Sequence, residues 1–386
     1  MRLKHLTNGM DLIYIPVKTF YNTVVVGARG GYAYDANDEI GLNHLYEHVF
    51  IAMLERLYKY GEKIEKYGFS QNAFTFNSAM LFYFEQYKDS VLNILKLFKK
   101  NIEKFMVDPK DFNIEKASVK NEISNWGKNY ENLIFDVVKR KGFVLARNKR
   151  TDTQRNINRL NFFSLLREHN NIFSKGNVVV ILYGKVPEKT FDKIVDLLES
   201  IKLPEGYEPN KFAVGDYRKI HKRNDTGIII YNVKNPTFKD YLCEIIYKNT
   251  MVSYDDSMLF NFVRNRKRLA YNVDYEEIDG VGERVFYFSF AFKNKNMLKD
   301  VMNEIKNPLR KFKQTKAEFN KGKKRAIIEF YKDAMDQSNF ALDLAYYYIL
   351  YGEALDIHKI INKINALKYE DYKKWLRKIK WKKLIL

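Results

Sequence analysis

The sequence predicts an α+β protein of two similar domains, each a mostly antiparallel sheet with helices packed on it. Three observations carry that expectation. At 386 residues the chain is too long for one ordinary hydrophobic core and suits two domains. Its best linker falls near the middle, where Leu203-Pro204-Glu205-Gly206-Tyr207-Glu208-Pro209-Asn210 combines two prolines and a glycine. On either side the element order repeats: a strand, helices, paired strands, helices and a final apolar segment. This reads as a weak internal duplication carried by element order and not by identity. The predicted domains are residues 1–203 and 221–386, joined by residues 204–220.

Residues 11–17 and 23–29 are rich in branched side chains and bounded by turn formers, which predicts two strands. Gly30-Gly31 and the polar run Asp35-Ala36-Asn37-Asp38 break the pattern and offer a helix N-cap. The helix that follows has an apolar stripe of Leu42, Leu45, Val49 and Met53, at spacings of three and four. Residues 69–76 and 79–85 form two strands joined by Asn77-Ser78. A helix from about Ser90 to Met106 stops near Pro109, another starts around Asp111, and helix continues to about His169. Residues 177–184 are a strand, and Pro187 opens a helix closing near Ile201. Beyond the linker, 227–233 is a strand, 239–267 is helical, and 271–276 and 285–292 are strands. The remainder is mostly helix to near Lys380, followed by the short apolar Leu384-Ile385-Leu386.

Composition narrows the function class. No apolar run approaches the eighteen or so residues needed to cross a bilayer. The first nine residues lack a signal peptide's apolar region, so a cytoplasmic location is expected. Cys243 is the only cysteine, which excludes an internal disulfide and a thiolate zinc cluster. The net charge of +20 raises the question of a nucleic-acid partner. Its lysines are spread over every helix, however, and the densest runs, 321–325 and 373–380, have the spacing of solvated helix faces. Attraction for acidic peptides is the milder consequence, and no membrane or nucleic-acid partner is expected.

The chemistry centres on Gly41-Leu42-Asn43-His44-Leu45-Tyr46-Glu47-His48, which contains H-x-x-E-H. On a helix, positions i and i+4 share a face, so His44 and His48 converge on one metal ion. Glu47 stands close enough to the same face to work on a metal-bound water. These three residues lie mostly off the apolar stripe and are not explained as core filling. The bland alternative is a helix whose histidines pack or sit at the surface. Glu115 and Glu122 lie seven apart on the next long helix, two turns, so both carboxylates face the same way.

At this point the sequence resembles the pitrilysin/insulinase family of inverzincin zinc metallopeptidases, in its single-subunit type, which includes mitochondrial processing peptidase and bacterial relatives. Matching stretches occur in order along nearly the whole chain. Thr7-Asn8-Gly9 resembles the family's opening L-x-N-G, and residues 41–48 resemble G-x-x-H-x-x-E-H. Asn72-Ala73-Phe74-Thr75 resembles N-A-[YF]-T, and Glu115 with Asn121-Glu122-Ile123 resembles E-R-x-V-x-x-E-[IL]. In the second half, Arg264 through Tyr271 resembles R-E-x-R-G-L-A-Y, with Arg268 where the family has glycine. Residues 50–53 also lack the family's F-K-G-T.

The resemblance implies one Zn2+ per chain held by His44, His48 and Glu122. It implies a zinc-activated water with Glu47 as general base; Glu115, which is no ligand in the family, would orient a ligand histidine or tune the site's charge. Asn72, Ala73 and Phe74 would form an edge strand to which a peptide adds by main-chain pairing. Arg264 and Tyr271 would hold the substrate from the other side, the tyrosine near the oxyanion. Taken by itself, Arg264 reads as a surface helix residue in a strongly basic segment. Because one chain carries both the zinc residues and the Arg–Tyr pair, the expected assembly is a homodimer enclosing a chamber for unfolded or leader peptides. A heterodimer with a related subunit, and a non-catalytic or partner-dependent role in such an assembly, are the alternatives.

Overall fold

The structure is a computed structural model that describes residues 1–36, 38–57, 70–87, 90–126, 154–206, 225–268, 270, 272–280, 282–291 and 295–386. The chain divides into two compact units. Among the described residues, the first holds residues 1–126, 154–206 and 333–356, and the second holds 225–332 and 357–386. No described helix is long and apolar enough to cross a membrane.

The first unit is built on six strands: β1 (Arg2–His5), β2 (Asp11–Ile15), β3 (Tyr21–Ala28), β4 (Ser70–Thr75), β5 (Met80–Tyr87) and β6 (Val178–Tyr183). They lie in the order β1-β2-β6-β3-β5-β4, antiparallel throughout except for the parallel β2–β6 pair. Val24, Val25 and Val26 at the centre are all buried because both faces of the sheet are covered. One face, with Val24, Val26, Phe82, Phe84, Val180 and Leu182, packs under α1 (Leu42–Leu57), α2 (Val91–Glu103), α3 (Pro109–Trp126), α4 (Gln154–Arg159), α5 (Phe162–Ile172) and α6 (Glu188–Glu199). Asn8 ties the first turn to that layer, donating to the carbonyls of Leu198 and Ile201 at 2.7 and 3.0 Å. The Leu198 carbonyl lies in the last turn of α6 and also accepts from Ile201 N at 3.1 Å.

The second unit carries α7 (Phe238–Met251) and α8 (Met258–Phe260, continued by a π-helical turn, Asn261–Arg266). It also holds α9 (Lys295–Glu304), α10 (Pro308–Lys311) and α11 (Lys316–Asp333). The other face of the first sheet is covered by α12 (Gln337–Tyr351), from late in the chain. Gln337 Nε2 donates to the Tyr21 carbonyl and to Thr23 Oγ1, each at 3.0 Å. A Cβ on Gly27 would come within 2.9 Å of Ile349, so the helix approaches this closely only over glycine. Residues 333–356 thus belong to the first unit, although the sequence reading placed them in 221–386. The amphipathic pattern of such a segment shows that it buries a face without showing against which sheet.

The second unit is completed by α13 (Ile357–Ala366) and α14 (Tyr369–Lys378). Its sheet comprises β7 (Thr226–Lys234), β8 (Asp274–Gly280), β9 (Glu283–Ala291) and β10 (Lys380–Ile385), all antiparallel in the order β10-β7-β9-β8. This repeats β6-β3-β5-β4 of the first unit strand for strand. A side-chain contact repeats as well. Lys116 Nζ donates to the carbonyls of Asn158 and Leu160, the second 44 residues away. Lys323 Nζ donates to Asn365 and Leu367, the second again 44 residues away.

Three local expectations change. Arg2–His5 is an edge strand, and the last helix stops at Lys378, so that Lys380–Ile385 pairs with β7 and is not a helix end with an apolar tail. The helical stretch 239–267 is broken after Met251, and Tyr254 N donates to Ser257 Oγ in the break. The expected helix across 127–153 lies outside the described residues.

Candidate metal centre

α1 is set in place before its first turn. Asp35, 3% exposed, accepts hydrogen bonds from Gly41 N (2.7 Å), Asn43 N (3.0 Å) and Asn43 Nδ2 (2.9 Å). It thereby caps amides that a helix start leaves unpaired. Burial pushes the Asp35 carboxyl up to about 7 although Asn43 and Gly41 donate to it. Asn43 Oδ1 accepts from Gly31 N at 2.9 Å. Gly31 has φ +102, and a Cβ there would fall 2.1 Å from the Phe76 carbonyl oxygen. Only glycine lets the β3–α1 loop pass so close to the β4–β5 turn.

The predicted stripe of Leu42, Leu45, Val49 and Met53 is buried, joined by Tyr46 and Phe50. Phe50 packs on Phe82, Phe98 and Phe173 with ring centroids 4.7, 5.3 and 5.2 Å away. That contact fixes the rotation of α1 and turns His44, Glu47 and His48 away from the sheet. On α3, Val119 is fully buried, seating Glu115 and Glu122, four before and three after it, towards α1.

The structure brings His44, His48 and Glu122 together. His44 Nε2 lies 3.3 Å from one Glu122 carboxylate oxygen and His48 Nε2 lies 3.4 Å from the other. One ligand atom from each of the three residues falls within 4.8 Å of the others. Metal–ligand bonds of about 2.0–2.1 Å in a tetrahedron place neighbouring ligands about 3.3–3.4 Å apart, the separation of each histidine from its own carboxylate oxygen. Among the described residues this is the one such group. The three side chains are also coupled electrostatically. His44 and His48 hold the Glu122 carboxyl well below the usual range. Burial lowers His48, but Glu115 and Glu122 together outweigh it and raise the imidazole to about 9. Glu115 sits behind the group, 3.5 Å from His48 Nδ1 and 13% exposed. Tyr32 meets the His44 ring edge-on with centroids 5.8 Å apart.

Glu47 is half-buried on the same helix face, and its Oε2 accepts from the Thr75 hydroxyl at the end of β4. β4 pairs with β5 on one side and has no strand on the other among the described residues. Of the expected peptide-holding residues, Asn72 is exposed with Oδ1 turned back onto Ala73 N at 2.9 Å. Ala73 is buried, and Phe74 stacks on Tyr83 at 6.0 Å. In the second unit, Arg264 lies in the π-helical turn, 3.9 Å from Asp255 and over the Phe260 ring at 5.1 Å. Tyr271 lies outside the described residues. Arg268 adopts φ 52, the left-handed conformation glycine would take without cost.

Sequence reasoning missed the Thr75–Glu47 bond and the Asp35–Asn43 clamp. The run at 35–38 signalled a cap, but a clamp reaching from Asp35 to Asn43 has no local signature. It also missed the counterpart of Glu122. Six residues beyond Lys323, as Glu122 stands six beyond Lys116, is Glu329. Its two oxygens meet Lys248 Nζ at 2.5 Å and Asn249 Nδ2 at 2.6 Å. The second unit keeps the carboxylate and satisfies it with the chain's own cation.

Comparison with known proteins bears on the fold and the family. No curated protein sequence matches. Solved structures match along the full length: a protease from Helicobacter pylori (16% identity, TM-score 0.80, 99% of this chain and 98% of that one) is one. Others are a protein described as an M16-like peptidase from Alicyclobacillus acidocaldarius (11%, 0.80, 100% and 97%) and a chain of complex III2 from Candida albicans with Inz-5 bound (16%, 0.75, 99% and 95%). At these identities the likeness is one of fold, and it is the α+β fold the sequence predicted. The family profile described as insulinase (peptidase family M16) covers residues 18–152, and the profile described as the peptidase M16 inactive domain covers residues 160–326. With both profiles present in this order, the chain belongs to the insulinase family, peptidase family M16.

Proposed function

We propose that this chain is a zinc-dependent endopeptidase that hydrolyses unfolded or leader peptides in the cytoplasm. The observation that carries the reading is the convergence of His44, His48 and Glu122 at ligand spacing with Glu47 beside them. Two imidazoles and one carboxylate, from His44, His48 and Glu122, would hold Zn2+ with a position left open, and the ion would supply Lewis acidity to the scissile carbonyl and to water. Glu47 takes the proton of the attacking water and returns it to the leaving amine. Glu115, at His48 Nδ1, fixes that imidazole's orientation and tautomer. The free edge of β4 at Asn72, Ala73 and Phe74 receives the peptide main chain, a mode that supplies affinity without demanding one sequence. A second copy of the chain completes a chamber that folded proteins do not enter, its Arg264 and Tyr271 binding the substrate main chain.

A non-catalytic assembly subunit is the second reading. It is favoured by the likeness to a complex III2 chain and by the inactive-domain description of the second profile. Metal analysis of purified protein, with Glu47→Gln assayed on unstructured peptides, separates the two. Stoichiometric zinc with hydrolysis abolished in the variant supports the enzyme. Full activity in that variant sinks the mechanism, and absence of both metal and hydrolysis favours the assembly role.

A further inference from the structure

We infer that Thr75 is a positioning residue for Glu47, its hydroxyl aiming the carboxylate from the strand that receives the peptide. The inference rests on the reading of Glu47 as general base. Thr75 Oγ1 donates to Glu47 Oε2, leaving the other carboxylate oxygen to accept a proton from water. A glutamate on a half-exposed helix face has three rotatable bonds and no fixed aim of its own. Threonine is branched at Cβ and stiff at χ1, so the direction of its hydroxyl follows the backbone that carries it.

That backbone is held from several sides. Thr75 pairs with Met80 in the β4–β5 ladder, and Phe76 N donates to the Ala79 carbonyl at 2.8 Å. The β3–α1 loop then grips the same turn, Tyr32 N donating to the Phe76 carbonyl (3.0 Å) and Ala33 N to that of Asn77 (2.7 Å). The loop that leads into the histidine helix and the turn that carries Thr75 are therefore one hydrogen-bonded body. A peptide paired along β4 is registered against the same strand that aims the base, which couples substrate position to base position within one element. Asn72, Ala73 and Phe74 hold the peptide; Thr75, next in the strand, touches Glu47 and not the reacting atoms.

Thr75→Val removes the hydroxyl at nearly constant shape, and Thr75→Ser keeps it. In the zinc-loaded protein, Thr75→Val lowers kcat about 10- to 100-fold, the scale expected for a misaimed catalytic group, with KM little changed. Thr75→Ser recovers most of the rate. In the Glu47→Gln background, adding Thr75→Val changes neither the residual rate nor the affinity for a fluorescein-labelled unstructured peptide measured by anisotropy. Losses that act through one carboxylate are not additive. Wild-type kcat in Thr75→Val, a loss carried by KM, or additive losses in the double variant overturn the inference while leaving the proposed function standing. An active Glu47→Gln, or a wild type without peptidase activity, overturns both.

Discussion

Replacing Glu115 by glutamine tests whether this carboxylate serves the metal centre or is a solvated helix residue. Glu115 stands 3.5 Å from His48 Nδ1 and is 13% exposed, so water does little to screen it. At that distance and an effective dielectric of about 20, a full charge–charge interaction amounts to about 5 kcal/mol, which bounds the effect. A neutral, metal-binding imidazole meets the carboxylate only through its Nδ1–H. Loss of such a partner weakens metal binding about 10- to 100-fold, or about 1.4–2.7 kcal/mol, inside that bound. A second consequence has the opposite sign. In the metal-free protein His48 titrates at about 9, and the proton must leave before metal binds. At pH 7 such a group is mostly protonated, which puts a penalty on metal binding. Glu115→Gln lowers that proton affinity and returns part of the penalty. The loss in zinc affinity is therefore largest above pH 9 and shrinks towards pH 6.5. Competition against a chromophoric chelator across pH 6.5–9.5 measures it, with circular dichroism as the control for folding. Affinity within twofold of wild type at pH 9.5 refutes the reasoning.

Three further outcomes are expected. Arg268→Gly relieves a left-handed backbone worth about 1–2 kcal/mol but adds about 0.5–1 kcal/mol of unfolded-chain entropy. Urea melts should show a net stabilisation of about 0.5 kcal/mol, and a clear destabilisation would mean the side chain holds structure. Burial pushes Glu168 up to about 7, so the native state binds extra protons, and this group's stabilising contribution is full below about pH 4.5 and lost as pH rises towards 7. Glu168→Gln should narrow the stability difference between pH 5 and pH 8 by up to about 3 kcal/mol, and an unchanged difference in thermal melts at the two pH values contradicts it. Lys248→Met leaves Glu329 with Asn249 alone; since the lysine and glutamate are 24% and 25% exposed, the cost is about 1 kcal/mol in urea unfolding. No loss at all would show that water serves Glu329 equally well.

What the sequence made legible follows physical locality. The H-x-x-E-H helix, its buried stripe and the β4–β5 pair rest on periodicities within one element, and each appears where the pattern put it. Glu122 needed more, because two helices distant in sequence must pack before it meets His44; only the family resemblance identified it. The terminal strands escaped for a different reason. Arg2–His5 is exposed at a sheet edge, and Lys380–Ile385 follows directly on a basic helix. Charged side chains on edge strands guard against unwanted pairing, and they erase the apolar alternation by which strands are recognised. The packing of α12 on the first sheet was hidden because its partner, β3, lies more than three hundred residues earlier in the chain.

The two units show what a retained carboxylate requires. Lys116 and Lys323 make the same pair of contacts to helix-end carbonyls, which fixes α3 and α11 alike and brings Glu122 and Glu329 to corresponding places. Glu329 is partly buried, so its carboxylate needs a positive partner or donors, whereas Glu122 is half exposed. Lys248 provides that charge covalently, with Asn249 taking the second oxygen, so the group is satisfied by the chain alone. Opposite Glu122 stand two imidazoles, which are neutral when they bind metal and bring no permanent charge. Glu115 and Glu122 together raise the His48 imidazole towards its protonated form. A proton is exchangeable and an ammonium on a lysine stem is not. The first unit thus sets two imidazoles, candidate metal ligands, against its glutamate, and the second answers the corresponding glutamate with its own lysine ammonium.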